Sequence, residues 1–198
     1  MRLILASSSP YRQEMLGRLG LPFTSVSPDI DESPLSGEAP AALALRLARA
    51  KAAAVARQHR GAVVIGADQV ATYNGQPVGK PGTHDRAFAQ LRELSGRTVA
   101  FHSALCVTDG QREEFDDIIT HCRFRTLGDA EIEHYLQRER PYDTAGSAKA
   151  EGLGIALMDA MQSDDPTAII GLPLIALCRM LRSFGLDPLL HANARGQA

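Results

Sequence analysis

The sequence contains no tryptophan, and its 198 residues include only six Phe and four Tyr. A platform for stacking nucleic acid bases therefore has few rings to draw on, and each exposed aromatic carries more information than usual. A charge excess is missing as well: 21 Lys+Arg against 23 Asp+Glu leave a net charge of −2. This excludes bulk attraction to a nucleic acid polymer or to an anionic membrane. Cysteine is scarce, and Cys106, Cys122 and Cys178 are widely spaced and odd in number. That pattern predicts reduced core thiols rather than a disulfide framework. No CxxC, HExxH or HxH pattern occurs, so zinc lacks ligands at its usual spacing, and oxygen ligands remain the open option for a metal. No run of eighteen apolar residues exists, and the opening Leu3-Ile4-Leu5-Ala6 is too short for a signal peptide. The expected address is the cytoplasm.

What is present, 44% apolar and 22% charged residues, suits one globular domain with a sizeable core, expected over 1–190 with a polar, frayed tail over 191–198. The apolar run 2–6 breaks at Ser7-Ser8-Ser9-Pro10 and is followed by Met15, Leu16 and Leu19 at helical spacing. This reads as strand, turn, helix, with Ser9 as N-cap and Pro10 in the first turn. A second strand is predicted over 23–27 and an acidic loop over 29–34. From Ala39 to Ala56 ten of eighteen residues are alanine, with Leu43, Leu47, Ala50 and Ala54 on one stripe, which predicts a helix bearing Lys51 beside that stripe. The run 62–67 reads as a buried strand ending at Asp68-Gln69, and Asn74-Gly75 as a hairpin turn. Helices are predicted over 84–94, over 129–140 with Asp129 as N-cap, and up to Phe184. A long hairpin is predicted over 98–125, and the glycine-rich stretch 145–154 is charged.

Three groups of residues carry chemistry. A strand feeding a helix N-terminus at Ser7-Ser8-Ser9-Pro10-Tyr11-Arg12 offers unpaired N–H groups, hydroxyls and a guanidinium to an anion. Asp68, with Asp31 and Glu32 from another loop, supplies carboxylates able to hold a hard cation or orient a water. Lys80, on the stiffened Gly79-Lys80-Pro81 loop, and Lys51 are cations that fit phosphate. A covalent nucleophile is disfavoured, because GxSxG, SxxK and Cys-His patterns are all missing. Carboxylates with lysines and an arginine suit attack by water on a metal-bound phosphoester, where positioning and charge neutralisation dominate.

These residues resemble the Maf family of nucleoside triphosphate pyrophosphatases from Leu3 to about Leu190. The matching stretches are Leu5-Ala6-Ser7-Ser8-Ser9-Pro10 with Arg12, Asp31-Glu32, Arg46-Leu47-Ala48 with Lys51, Gly66-Ala67-Asp68, Gly79-Lys80-Pro81, Leu94-Ser95-Gly96 and Gly171-Leu172-Pro173. The resemblance implies an α/β fold of the Maf/ITPase-like kind. Its mixed, elongated, twisted sheet is flanked by helices, with two lobes and a nucleotide cleft between them. It implies a nucleotide substrate cleaved between its α and β phosphates to the monophosphate and pyrophosphate, with Mg²⁺ or Mn²⁺. Carried over by position, Asp68, Glu32 and Lys80 match the catalytic residues, and Ser7, Arg12 and Lys51 the phosphate contacts. Asp68 and Glu32 are the metal candidates, and whether Asp68 is general base or metal ligand stays open.

In the pyrimidine-specific branch a second Arg precedes the matched Arg, a Thr follows the Asp, and a Gln stands before the late glycine. Here those places hold Tyr11, Gln69 and Glu151, a combination similar to the branch acting on 7-methyl-GTP. The positive 7-methylguanine ring favours an aromatic face, which Tyr11 offers, and a carboxylate at its edge, which Glu151 offers to the N1–H and exocyclic amine. Ala148 departs from the family, where an aromatic is common. The expected role is hydrolysis of 7-methyl-GTP that keeps modified nucleotides out of nucleic acids. The alternatives are the same chemistry on UTP, dTTP or another modified nucleotide, and a non-catalytic nucleotide-binding regulator of cell division. A homodimer is left open.

Overall fold

The computed structural model describes residues 2–191. Of the expected polar tail only His191 is included, and 192–198 lie outside the described residues. Along the chain run β1 (Arg2–Ala6), α1 (Pro10–Gly17), β2 (Phe23–Ser25), α2 (Pro40–Gln58), β3 (Ala62–Tyr73), β4 (Gln76–Val78) and α3 (His84–Leu94). Then come β5 (Thr98–Thr108), β6 (Glu113–Phe124), α4 (Asp129–Glu139), β7 (Met158–Gln162), α5 (Leu174–Ser183) and α6 (Pro188–His191). Seven strands form one mixed sheet in the order β2-β1-β3-β5-β6-β7, with β4 on β3. The pairs β1–β2 and β1–β3 are parallel and the others antiparallel. The α/β class with an extended sheet flanked by helices is as the sequence predicts.

Local chemistry accounts for the element ends. Ser9 caps α1 by accepting from the Arg12 N–H at 3.4 Å, with Pro10 in the first turn. At the β3–β4 hairpin Asn74 and Gly75 both take positive φ, 50° and 74°, as a tight turn matching strand twist requires. Differences from the sequence reading also have local causes. β2 stops at Ser25, and α4 is entered through Gly128, whose N–H donates to Glu131 at 2.7 Å. β7 and α6 carry too short an apolar pattern to be anticipated. Cys178 is half-buried rather than core, while burial pushes the Cys106 and Cys122 thiols up to about 12.

The main difference concerns Asp68. The sequence suggests a strand ending there, but β3 continues to Tyr73, so Asp68 lies within it. What ends is the pairing with β1, whose last register partner is Gly66, while β4 begins only opposite Ala71. Between them residues 67–70 keep their pairing to β5 on one side and present an open edge on the other.

Three apolar clusters hold the sheet. Ile4, Val64 and Cys106 meet Ala44, Ala48 and Ala52 of α2 on one face. On the opposite face Leu5, Ile65 and Leu105 pack on Leu177 and Met180 of α5. Farther along that face Ala71, Phe101 and Phe124 pack on Leu91 of α3 and Leu136 of α4. Gln69 and Ser103, register partners on neighbouring strands, make a polar seam between these last two clusters.

Candidate active site

A cleft of about 560 Å³ opens along the free edge of β3. It is lined by the nine residues matched to catalytic, phosphate and base-reading positions: Ser7, Tyr11, Arg12, Glu32, Lys51, Asp68, Gln69, Lys80 and Glu151. The open edge explains how Asp68 and Gln69, on opposite faces of the sheet, reach one space. The C-terminal end of the parallel strand β1 supplies Ser7 and the start of α1, the position where α/β sheets commonly bind ligands.

Lys51 is the centre of the charged side. Its backbone lies between Ala48 and Ala52, which pack directly over Gly66, where a side chain would strike the helix backbone. Asp68 follows two residues later on the same face, so the close approach delivers the ammonium to it. Lys51 Nζ lies 2.7 Å from Asp68 Oδ1 and 3.0 Å from Glu32 Oε1. Lys51 and Asp68 are 5% and 8% exposed, whereas the Glu32 side chain is 57% exposed. Pairing offsets the desolvation of the two buried charges, and truncating either one would leave the other poorly compensated. Lys51, matched to a phosphate contact, thus gathers two carboxylates, hydrogen-bonding Asp68 and pairing with Glu32.

The loop bearing Glu32 is fastened by Arg46, one of the matched motif residues with no role assigned in the sequence. Its Nε lies 2.6 Å from Glu38 Oε1, and its Nη2 bonds Glu38 Oε2 at 2.8 Å and the Ser33 carbonyl at 3.0 Å. The forked bond to Arg46 pulls Glu38 down to about 2. Asp31 does not line the cleft; it accepts from the Ser33 N–H at 2.9 Å and shapes the loop.

Opposite these carboxylates, Ser7 is buried and its Oγ accepts from the Ser9 N–H at 3.1 Å. Arg12 donates through Nε to the Gly171 carbonyl at 3.0 Å, leaving its terminal nitrogens for an anion. Burial draws the Arg12 guanidinium below its ordinary value, opposed by the fields of Asp68 and Glu32. Lys80 is exposed on its loop, Tyr11 is half-buried on α1, and Glu151 is exposed at the far wall.

Gln69 has a second attachment. Its Nε2 lies 3.0 Å from Ser103 Oγ, 3.1 Å from the Ala168 carbonyl and 3.0 Å from the Ile169 carbonyl. Ile169, Ile170 and Gly171 form part of the cleft wall, so Gln69 ties that wall to the sheet and turns its carbonyl oxygen away from these acceptors. A Gln69→Thr variant is too short to span this gap and takes the side-chain donor from the Ile169 carbonyl, while the Ala168 carbonyl keeps the Ser103 hydroxyl and the Gly171 N–H. It should melt earlier by about 1–2 kcal/mol and show a raised KM with little loss of kcat. Thermal denaturation and steady-state kinetics check both.

Phe101, Asp143, Thr144, Ala145 and Ala148 also line the cleft without having been singled out as site residues. They come from a strand and a loop distant in sequence, and only the motif departure at Ala148 pointed to this wall. Ala148 is buried in the distal cluster with Phe101. Among the described residues no three His, Cys, Asp or Glu side chains converge as a metal cage. Asp68 and Glu32 fit a cation that arrives with a polyphosphate, because each places one oxygen on Lys51 and retains a second hard donor. Mg²⁺ is commonly held by one or two carboxylates plus substrate phosphates.

Comparison with known proteins places the chain in a family. The profile of the Maf family, described as Maf-like protein, matches residues 2–184. The 7-methyl-GTP pyrophosphatase of Bordetella avium (strain 197N) is 72% identical over 188 residues, covering 95% of this chain and 95% of its own. That of Burkholderia orbicola (strain AU 1054) is 62% identical, covering 98% of this chain and 94% of its own. Among solved structures, the Staphylococcus aureus Ham1 protein overlays with a TM-score of 0.46 and 14% identity, covering 63% of this chain and 72% of its own.

Proposed function

The chain belongs to the Maf family, and from that premise we propose that it hydrolyses 7-methyl-GTP to 7-methyl-GMP and pyrophosphate. On this reading the chain is one domain with two lobes, and the nucleotide lies in the cleft between them. The observation that carries the reading is the buried Lys51–Asp68 pair at the open edge of β3, facing an anion-binding turn across the same cleft. Close relatives bearing the 7-methyl-GTP pyrophosphatase name support the choice of base.

Ser7, Arg12 and Lys80 hold the phosphates, and Lys51 joins them through a remaining N–H. Asp68 is fixed by Lys51 and turns its second oxygen, Oδ2, to the substrate side, where it orients a water and takes its proton. The water oxygen bonds to the α-phosphorus as the bond from that phosphorus to the α–β bridging oxygen breaks, and pyrophosphate leaves with the bridging oxygen. Glu32 would hold a divalent cation, Mg²⁺ or Mn²⁺, together with the phosphate oxygens. That cation would neutralise phosphate charge. Arrangements of this kind accelerate phosphoryl transfer chiefly by position and electrostatics. Tyr11 stacks on the cationic base and Glu151 reads its edge.

Purified protein with a divalent cation and a panel of 7-methyl-GTP, GTP, UTP and dTTP tests the reading. Expected are monophosphate and pyrophosphate as products and the highest kcat/KM with 7-methyl-GTP. Orthophosphate release, or a preference for UTP or dTTP, would remove it, and tight binding without turnover would favour the regulator. Glu151→Gln should lower the preference for 7-methyl-GTP over UTP by about ten-fold, since an amide presents only one acceptor to two donors. An unaltered ratio would dismiss Glu151 as the base reader.

A further inference from the structure

The loop that carries Glu151 packs Ala145, Ala148 and Leu153 on the distal cluster and takes an unfavourable backbone path at Ser147. Gly146 and Ser147 both have positive φ, 72° and 54°, and Ser147 is fully buried. A non-glycine residue in that region persists only where its surroundings hold it. The Ser147 hydroxyl donates to Gln90 of α3, and the other side-chain bonds to this loop come from one face of α4. Tyr135 Oη donates to the Ser147 carbonyl at 3.1 Å and accepts from the Lys149 N–H at 3.1 Å. One helical turn later Glu139 accepts from the Leu153 N–H at 2.9 Å, and its carboxylate lies so close to Gly152 that an added methyl would sit 3.1 Å from Oε2. Residues four apart on a helix share a face, so this pair grips the chain on both sides of Glu151, at 147–149 and at 152–153. Neither Tyr135 nor Glu139 lines the cleft.

We propose that Tyr135 and Glu139 are positioning residues that set base selectivity by fixing the loop that presents Glu151 to the nucleotide. The proposal deepens the reading of Glu151 as base reader and rests on it. Tyr135 suits the task because its ring is in the distal core, 3% exposed, while its single hydroxyl serves as donor and acceptor to the loop at once. Tyr135→Phe keeps the packing and removes both bonds, leaving the Lys149 N–H and Ser147 carbonyl to find other partners. The phosphate side of the cleft is held by β1, α1 and α2 and does not depend on this clamp.

The test measures kcat and KM for 7-methyl-GTP, GTP and UTP with wild type, Tyr135→Phe, Glu151→Gln and the double variant. Tyr135→Phe should lower the 7-methyl-GTP to UTP ratio of kcat/KM by about ten-fold, mainly through KM, and leave kcat on UTP within about two-fold. The double variant should be no less selective than Glu151→Gln alone, as expected of groups acting through one another. An unchanged ratio, an equal loss on every nucleotide, or an additive loss in the double variant overturns the proposal. Glu139 gives an independent check if the Tyr135 variant does not fold: Glu139→Gln retains an acceptor for the Leu153 N–H and should keep selectivity, whereas Glu139→Ala should lose it. Equal behaviour of these two variants also overturns the clamp. If wild type prefers another base, the substrate reading fails separately, and the clamp stands or falls on whether Tyr135→Phe flattens that preference.

Discussion

Asp68→Asn is expected to reduce turnover by about three orders of magnitude while the protein still folds and binds nucleotide. The amide keeps an oxygen for Lys51, which lies 2.7 Å from the native carboxylate, and Glu32 remains the second partner of that ammonium. The buried lysine is therefore not stranded, and the stability loss should stay near 1–3 kcal/mol. What the amide lacks is negative charge and the capacity to take a proton, the two properties that the proposed chemistry asks of this position. The informative measurement sets pyrophosphate release against nucleotide affinity by calorimetry. Retained affinity with lost turnover assigns Asp68 to the chemical step, and unchanged turnover would displace it from that role.

Gly66→Ala should destabilise the protein strongly. Its Cβ would stand 2.2 Å from the Ala48 carbonyl oxygen, 2.7 Å from the Ala52 nitrogen and 2.9 Å from the Ala52 Cβ. Two of these are backbone atoms of α2, which no rotamer change can move aside. Either α2 lifts from the sheet or β3 bends, and overpacking of this kind costs about 3 kcal/mol, a fall in Tm of roughly 6–10 °C for a chain of this size. Because Lys51 rides on the same turn of α2, the displaced helix also withdraws the ammonium from Asp68. The folded fraction should thus lose activity beyond what its melting temperature accounts for. Gly17→Ala is the natural control: Gly17 ends α1 with nothing within 4 Å of an added Cβ, and it should melt at or slightly above the wild-type temperature. Comparable melting of the two variants would contradict the close-approach role of Gly66.

The parts of this fold legible from the sequence are those with local causes. Ser9-Pro10 starts α1 because a side-chain oxygen and a fixed φ act within one turn. The alanine-rich stretch becomes α2 because propensity and apolar spacing agree over many residues. Asn74-Gly75 turns the chain because these residues tolerate positive φ. The unanticipated elements lack such signals: β7 has five residues, none of them buried, and finds its place by pairing with β6.

For the candidate site, sequence alone determined the roster. The residue types, the lack of a nucleophile motif, and the near balance of charge that leaves a handful of cations at particular places were all present in the string. The scarcity of aromatics made Tyr11 the ring to watch. Tertiary structure decided how those residues are used. Asp68 proved to be within a strand, exposed to the cleft because β1 stops pairing at Gly66. Lys51 proved to be buried between two carboxylates, Gln69 to be a tie across the seam, and Arg46 to be the fastening of the Glu32 loop. Each of these is a contact between segments far apart in the chain, fixed by strand register and helix approach. Register and approach emerge from packing of the whole sheet, which no local stretch of sequence encodes.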